Sequence, residues 1–438
     1  MAFLCRALES PRFLFDCSGR AFTRVLSIVP IVAFVLAASL MAPPTTACAF
    51  SVPLIWHVES DDGKIVDSHE ADQPVNPASV VKLATSLRAL ETLGPDRRFV
   101  TTFGLVDAGA ADNAAVEGLV VEGGADPDFH FENALMVARE LVSAGVVNVR
   151  GDLHVGATFW MGWERGTVGR EPDPIKRRLD MGRRLLAAWS PSSWSAEEKK
   201  NWTEIAEKRH WDPAHPPAVH VSGVPRTDMP PKWRPVVEHR SEPLIVALRR
   251  FNVFSNNDIE RLDASIGPAA ELSTFFEKRW GADGRKTSFA TSSGLNGNRM
   301  TPRLIVRLLR DLRASLAAKG HVPADMMPVL GCGESTLYEL FPRLRESGDA
   351  NGLVGKTGTL NVQDGGVSAL AGFLAVGPGL LFFVAAPGAG QELPKARGAE
   401  EDFVRTVLLR AGPVGPLKCP APVPTSADEA SVARSAAR

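Results

Sequence analysis

The apolar and polar positions of this chain follow two spacings, one suited to strands and one to helices, in a definite order. Pro53 to Val58 is apolar and β-prone, Asp61-Asp62-Gly63 is a turn signal, and Ile65-Val66 begins a return strand. This stretch predicts a hairpin. Pro77 then precedes a helix in which Val80, Val81, Leu83, Ala84, Leu87, Leu90 and Leu93 are apolar, ended by Gly94-Pro95. Being apolar nearly all round, it is expected to be buried. From Pro243 come apolar helices over Leu244 to Phe251, Asp258 to about Ile266, and Leu272 to Trp280. Another opens at Thr301-Pro302, a cap followed by proline at the first helical position, and runs to Gly320. Val354 to Leu360, Val367 to Val376 and Leu380 to Ala386 read as three strands, with Gly377-Pro378-Gly379 as the turn between the last two. A helix near Glu400 to Leu409 follows.

Residues 97–240 have a different texture. Their first half predicts strands over Phe99 to Val106, Val116 to Glu122 and Val147 to Val155, around a helix near Asn133 to Ala144. Their second half is rich in proline, charge and tryptophan: seven of the nine Trp (160, 163, 189, 194, 202, 211 and 233) fall in this region. Ser195 with Glu198 forms a capping box for a short polar helix. Residues 50–96 and 241–410 are therefore expected to form one domain, and residues 97–240 an insertion with its own small core. Residues 411–438, rich in Pro, Ala and Ser, are expected to be a disordered tail. Strands at both ends of the main domain with helices between suit an α+β fold, one sheet completed by both terminal segments and covered by helices. The sequence has no internal repeat.

Composition adds a compartment more than a chemistry. The 438 residues have an ordinary globular balance, 45% hydrophobic and 23% charged, and a formal net charge of −1. That charge makes no electrostatic case for nucleic acid or for an anionic membrane surface. Arg6, Arg12, Arg20 and Arg24 precede an apolar run from Val25 to about Leu40, and Ala47-Cys48-Ala49 follows. A basic segment, a hydrophobic core and an A-x-A site predict a signal peptide over 1–49, hence an exported, periplasmic protein. An uncleaved anchor is the alternative, because the run approaches the ~18 apolar residues that span a bilayer. Of five cysteines, Cys5, Cys17 and Cys48 belong to this leader, and Cys332 and Cys419 remain in the mature chain. Export permits a disulfide between those two without requiring one.

Three short motifs carry the chemistry. Ser79-Val80-Val81-Lys82 opens the buried helix, and a spacing of three puts both side chains on one face. A serine hydroxyl needs a neighbour to take its proton, and Lys82 can do so if burial lowers its pKa. The alternative is an ordinary helix start with a solvated lysine. Ser255-Asn256-Asn257 falls between two predicted helices. There the Ser255 hydroxyl could relay a proton to a leaving amine, and the Asn257 amide could hold a substrate carbonyl and the lysine. A helix N-cap cluster before Asp258 explains the same residues equally well. Lys356-Thr357-Gly358-Thr359 lies on a predicted strand. A strand edge can pair with an extended peptide, the Lys and Thr side chains can bind its terminal carboxylate, and Gly358 permits close backbone approach. The amides of Thr359 and Ser79 could form an oxyanion hole. The alternative is an edge strand protected by a lysine.

Each motif is weak alone, but in this order they form the nucleophile, proton-shuttle and substrate-clamp set of serine acyl-transferases that attack D-Ala-D-Ala peptides or β-lactams. The chain resembles the class C low-molecular-mass penicillin-binding proteins, the D-Ala-D-Ala carboxypeptidase/endopeptidase family of the DacB type. The resemblance extends to Pro77-Ala78-Ser79, Leu93-Gly94-Pro95-Asp96, Gly123 to Phe129, Ser293-Gly294-Leu295 and Asn298-Arg299-Met300-Thr301-Pro302. It covers roughly residues 51 to 410, with a gap in the middle.

The resemblance implies a transpeptidase/β-lactamase-like domain, an antiparallel sheet with helices on its faces, interrupted by a small α/β domain. It implies Ser79, Lys82, Ser255 and Asn257 as catalytic residues and Lys356 to Thr359 as substrate-binding ones. Peptidoglycan stem peptides and β-lactams are the implied partners, with peripheral association with membrane or wall, and no metal or other cofactor is implied. A β-lactamase or a silent peptidoglycan-binding protein would be the competing readings.

Two departures stand out. Glu334-Ser335-Thr336-Leu337 replaces the family's Gly-Thr-Leu turn, and the insertion looks short. His210, His215 and His220 recur every five residues, but Pro213, Pro216 and Pro217 forbid a helix that would align them on a metal.

Overall fold

A computed structural model describes residues 52–106, 116–163, 171–348, 350–377 and 379–435. The leader reading lies outside these residues. Among the described residues no helix is long and apolar enough to cross a membrane.

The hairpin of β1 (Ile55–Ser60) and β2 (Ile65–His69) leads through a 3-10 turn, Ala78–Val80, into α1 (Val81–Leu93). Next come β3 (Val100–Val106), β4 (Leu119–Glu122), α2 (Phe131–Ser143), β5 (Asn148–Val149), β6 (Leu153–Val155), α3 (Pro174–Ala188), α4 (Ala196–Lys208), β7 (His220–Val221), β8 (Pro225–Arg226) and β9 (Trp233–Arg240). The helical stretch holds α5 (Leu244–Val253), α6 (Asp263–Ile266), α7 (Ala270–Trp280), α8 (Pro302–Ala317), α9 (Thr336–Leu340) and α10 (Pro342–Arg345). The chain ends with β10 (Leu353–Leu360), β11 (Val367–Leu374), β12 (Leu380–Pro387), α11 (Leu393–Ala411) and β13 (Ser431–Arg434).

The first sheet is antiparallel, in the order β10-β11-β12-β1-β2, so strands from both ends of the sequence complete it. One face packs Ile55, Ala369, Leu381 and Phe383 against Leu83 and Leu87 of α1, Leu248 and Phe251 of α5, and Leu308 and Leu312 of α8. The other face packs Val58, Leu370, Phe382 and Val384 against Phe403 and Val404 of α11. Helices on both faces explain why β11 is buried at every position and reads as continuous apolar sequence rather than alternation. Helix α1 is buried from Val81 to Leu90, in keeping with its all-round apolar pattern.

The second sheet is mixed, in the order β13-β9-β3-β4-β6-β8, with a separate core around Phe103, Val121, Leu153, Leu185 and Trp189. Most tryptophans of this region build that core or the small cluster of Leu135, Trp194, Trp202 and Ala206. Three of their indole N–H groups are satisfied from within: Trp189 donates to Ala134 O at 2.8 Å, Trp194 to Ala188 O at 3.1 Å and Trp202 to Pro213 O at 2.7 Å. The Ser195–Glu198 capping box opens α4.

Three local expectations need correction. The helix expected from Asp258 starts as a 3-10 turn, Asn257–Leu262, because the Asn256 side chain accepts from the Asp258 N–H at 2.9 Å and tightens the chain. The last helix begins at Leu393, with Pro394 in its first turn, well before Glu400. The tail after Ala411 is not disordered through its described length. Cys419 is bonded to Cys332, Ser426 is buried with Asn133 donating to its carbonyl at 3.1 Å, and β13 pairs antiparallel with β9. A sequence without periodicity of its own is ordered here by partners supplied from two other parts of the chain.

Candidate active site

Ser79 sits in the 3-10 turn just before α1. Its predecessor Ala78 has φ +50, a left-handed conformation that costs a non-glycine residue about 1 kcal/mol or more. Two contacts hold it: Asn76 Oδ1 accepts from the Ala78 N–H at 3.0 Å, and Gly294 lies against the turn. A Cβ at Gly294 would stand 2.0 Å from Ala78 O, and Gly294 itself has φ +98, so only glycine fits there.

Lys82 is fully buried one turn further on. Its Nζ donates to Ser79 Oγ at 3.0 Å, to Asn257 Oδ1 at 3.0 Å and to Ser293 O at 2.7 Å. Burial pushes its pKa down from 10.5 to about 7, against the opposing pull of Glu260 and Asp258. At neutral pH a substantial fraction of the amine is therefore unprotonated.

The Ser255-Asn256-Asn257 loop divides its side chains. Asn257 faces Lys82, while Ser255 Oγ accepts from Lys356 Nζ at 2.9 Å. The loop can do this because Ser255 takes φ +56 where α5 ends, which turns the chain sharply. Lys356 is also fully buried and donates to Thr357 O at 2.9 Å. Burial first, and Lys82 second, hold its pKa well below the usual lysine range.

β10 is the edge strand of the first sheet and passes directly over the nucleophile turn. A Cβ at Gly358 would lie 2.6 Å from Pro77 O, which explains the glycine. Thr357 Oγ1 and Thr336 Oγ1 are 2.9 Å apart, and Thr359 Oγ1 accepts from Arg397 at 3.4 Å. The structure thus gathers all eight residues singled out from the sequence around one serine.

Sequence reasoning missed the supports. Ser293 Oγ donates to Glu260 at 2.5 Å and Ser292 Oγ to Asp263 at 2.5 Å, tying the loop that caps Lys82 to the turn after Asn257. Beneath that turn runs a buried charge network. Arg250 bonds Asp128 and Glu242, His130 Nε2 lies 2.7 Å from Asp128 and 3.7 Å from Asp258, and Asp258 lies 3.4 Å from Arg261. Asp128 and His130 belong to the Gly123 to Phe129 segment and its sequel, so this segment supports the loop from the second sheet. The ligand atoms of Asp128, His130 and Asp258 lie close enough together to hold a metal. Arg250 and Arg261 already neutralise the two carboxylates, which makes an ion network the better description.

The departure at Glu334 to Leu337 is accommodated. Ser335 is extended, at φ −169, so glycine is not needed there. Its hydroxyl caps α9 by accepting from Tyr338 N at 3.0 Å, and Thr336 keeps its contact with Thr357.

A buried lysine on a helix-start serine, with an edge strand across it and helices on both sheet faces, defines the penicillin-binding class of fold. Residues 52–173 and 219–405 match the D-Ala-D-Ala carboxypeptidase 3 (S13) family, and the chain belongs to it. The unmatched interval, 174–218, holds all of α3 and α4. A D-alanyl-D-alanine carboxypeptidase of Actinomadura sp. (strain R39) is 33% identical over 108 residues, a match covering 25% of this chain and 20% of that protein. Among solved structures, a predatory peptidoglycan endopeptidase from Bdellovibrio bacteriovorus has TM-score 0.72 at 20% identity, covering 88% of this chain and 100% of that one. Penicillin binding protein 4 from Haemophilus influenzae has TM-score 0.57 at 14% identity, covering 80% of this chain and 97% of that one.

Proposed function

We propose that this protein is a serine D-Ala-D-Ala carboxypeptidase of the cell wall, acting on peptidoglycan stem peptides through an acyl-enzyme at Ser79. The observation that carries the reading is the buried Lys82 amine, 3.0 Å from Ser79 Oγ and near-neutral in pKa. Unprotonated Lys82 takes the Ser79 proton as the oxygen attacks the penultimate D-Ala carbonyl. The Ser79 and Thr359 amides receive the oxyanion. Ser255 gives its hydroxyl proton to the leaving amine and regains one from Lys356, whose Nζ donates to it. Lys82 carries the Ser79 proton until it is lost to solvent, and Asn257 holds the acyl side of the peptide while orienting Lys82. Terminal D-Ala departs, and water then hydrolyses the ester. Thr357 and Thr359, on the same face of β10, lie where the substrate carboxylate is held. A β-lactam acylates the same serine, and its tethered leaving group stays in place and slows water attack.

The same step gives endopeptidase activity when the leaving amine belongs to a neighbouring stem peptide. The Bdellovibrio structure of the same fold carries that activity in its name. We further propose export to the periplasm: the basic and apolar leader fits it, and so does the Cys332–Cys419 disulfide, a bond of oxidising compartments. Peripheral association with membrane or wall belongs to the same proposal.

The test is chromatography of purified muropeptides after incubation with the mature chain and with Ser79→Ala. Loss of one D-Ala from pentapeptides assigns the carboxypeptidase, and conversion of dimers to monomers assigns the endopeptidase. Unchanged muropeptides with a folded wild-type chain would refute the reading.

A further inference from the structure

Arg397 stands on the first turns of α11, beside the end of β10. Its Nη2 reaches Thr359 Oγ1 at 3.4 Å, a long hydrogen bond. Its Nε is buried without a partner, and the side chain makes no ion pair among the described residues. The guanidinium is about half buried, and that burial pushes its pKa below the usual arginine value.

The neighbouring carboxylates compensate it only weakly: Glu400 interacts with it electrostatically but forms no ion pair with it among the described residues. Glu400 is fully buried, accepts from Ser368 Oγ at 2.7 Å, and burial raises its pKa to about 8, so it is mostly protonated at neutral pH. Glu401 is committed to Arg343, whose Nε is 2.8 Å from its Oε2. A partly desolvated cation with a buried, unbonded Nε and no hydrogen-bonded anion is unfavourable on its own, and such an arrangement fits a site where the anion arrives with the ligand.

The position indicates which anion. Thr357 and Thr359 share a face of β10, and Arg397 touches the second of the two hydroxyls. Lys356 is poorly placed for the role: its ammonium is turned inward to Ser255 Oγ and Thr357 O and is fully buried. This geometry suits a proton relay more than a counter-charge.

We propose that Arg397 is the cationic anchor for the α-carboxylate of the residue that leaves, binding it together with the Thr357 and Thr359 hydroxyls. The inference rests on the acyl-transfer reading at Ser79 and assigns specificity for a free carboxylate to a residue outside the three motifs. It divides the labour between two basic residues, with Lys356 serving the proton and Arg397 the charge.

Benzylpenicillin and its methyl ester test it, because they differ only in that carboxylate. Acylation of Ser79 is followed by intact mass for the wild type, Arg397→Gln and Arg397→Lys, each checked for folding by its thermal transition. The expected result is a fall of about 10–100-fold in the benzylpenicillin rate for Arg397→Gln, the size of a lost charge-assisted bond. Arg397→Lys should recover part of the loss, and the slower methyl ester rate should be the same in all three proteins. Equal benzylpenicillin rates in wild type and Arg397→Gln would overturn the inference while leaving the Ser79 reading intact. So would an equal fall for acid and ester. A wild type that benzylpenicillin does not acylate would instead refute the acyl-transfer reading, and this inference with it.

Discussion

A lysine at its ordinary pKa is protonated near pH 7 and cannot accept a proton from serine; Lys82 can because nothing around it resembles water. Three hydrogen-bond acceptors surround Nζ without a direct carboxylate contact, so burial prevails and the pKa falls to about 7. The sign of the pH effect follows. Below that value the amine is increasingly protonated and unable to act as base, so acylation should slow about tenfold for each further pH unit. Second-order rates of acylation by benzylpenicillin from pH 5 to 9 check this, with a rise through about 7 and a plateau above it. A profile flat across that range would move the base elsewhere. Lys82→Ala should lower the same rate by roughly 10²–10⁴-fold, the usual range for a general base. Gly294→Ala is a second residue-scale test. Its Cβ would collide with Ala78 O and its φ is left-handed, so we expect a loss of roughly 1–3 kcal/mol by urea unfolding, together with slower acylation.

At the scale of elements, the site is a meeting of α1, the loop after α5 and the edge strand β10, each fixed by its own packing. All three were legible in the sequence because local signals define them: an all-apolar helix period, polar residues clustered between two apolar helices, and a strand run over Val354 to Leu360. The supports were not, because they act across long separations. Glu260 holds Ser293, Asp128 meets Arg250, and Thr336 meets Thr357, all contacts that only the tertiary fold creates. The start of α11 was missed for a related reason. Its first turns carry Lys395, Arg397 and Gly398, which read as loop, although the helix is anchored by Ala396 and Ala399 beneath them. The network under Asn257 gives an element-scale prediction. Arg250→Met leaves Asp128 and Glu242 buried without their cation, and should cost roughly 3–5 kcal/mol in denaturant unfolding. Acylation should slow as well, because Asp258 and the adjoining loop lose a support. An unchanged unfolding midpoint would show that the network is dispensable.

Across the whole molecule, the tail is the largest difference between sequence pattern and structure. Composition marks 411–438 as unable to form a core, and its described part forms none; it is a strap laid over cores built by other segments. The strap crosses from Cys332, near the α9 turn, to β9, beside which its β13 forms the edge strand of the second sheet. The disulfide closes a loop of 87 residues, which should contribute roughly 2–4 kcal/mol by restricting the unfolded chain. Cys419→Ser should therefore lower the thermal transition by several degrees, and reduction should lower the wild type by a similar amount. The main fold was readable because strands from both ends of the sequence and apolar helices between them have few ways to bury their faces. The most direct test of the central claim uses a fluorescent penicillin on the purified mature protein beside Ser79→Ala, with covalent label read on a denaturing gel. Label on the native chain and none on Ser79→Ala is the predicted result. Absence of label on both, with both folded, would contradict it.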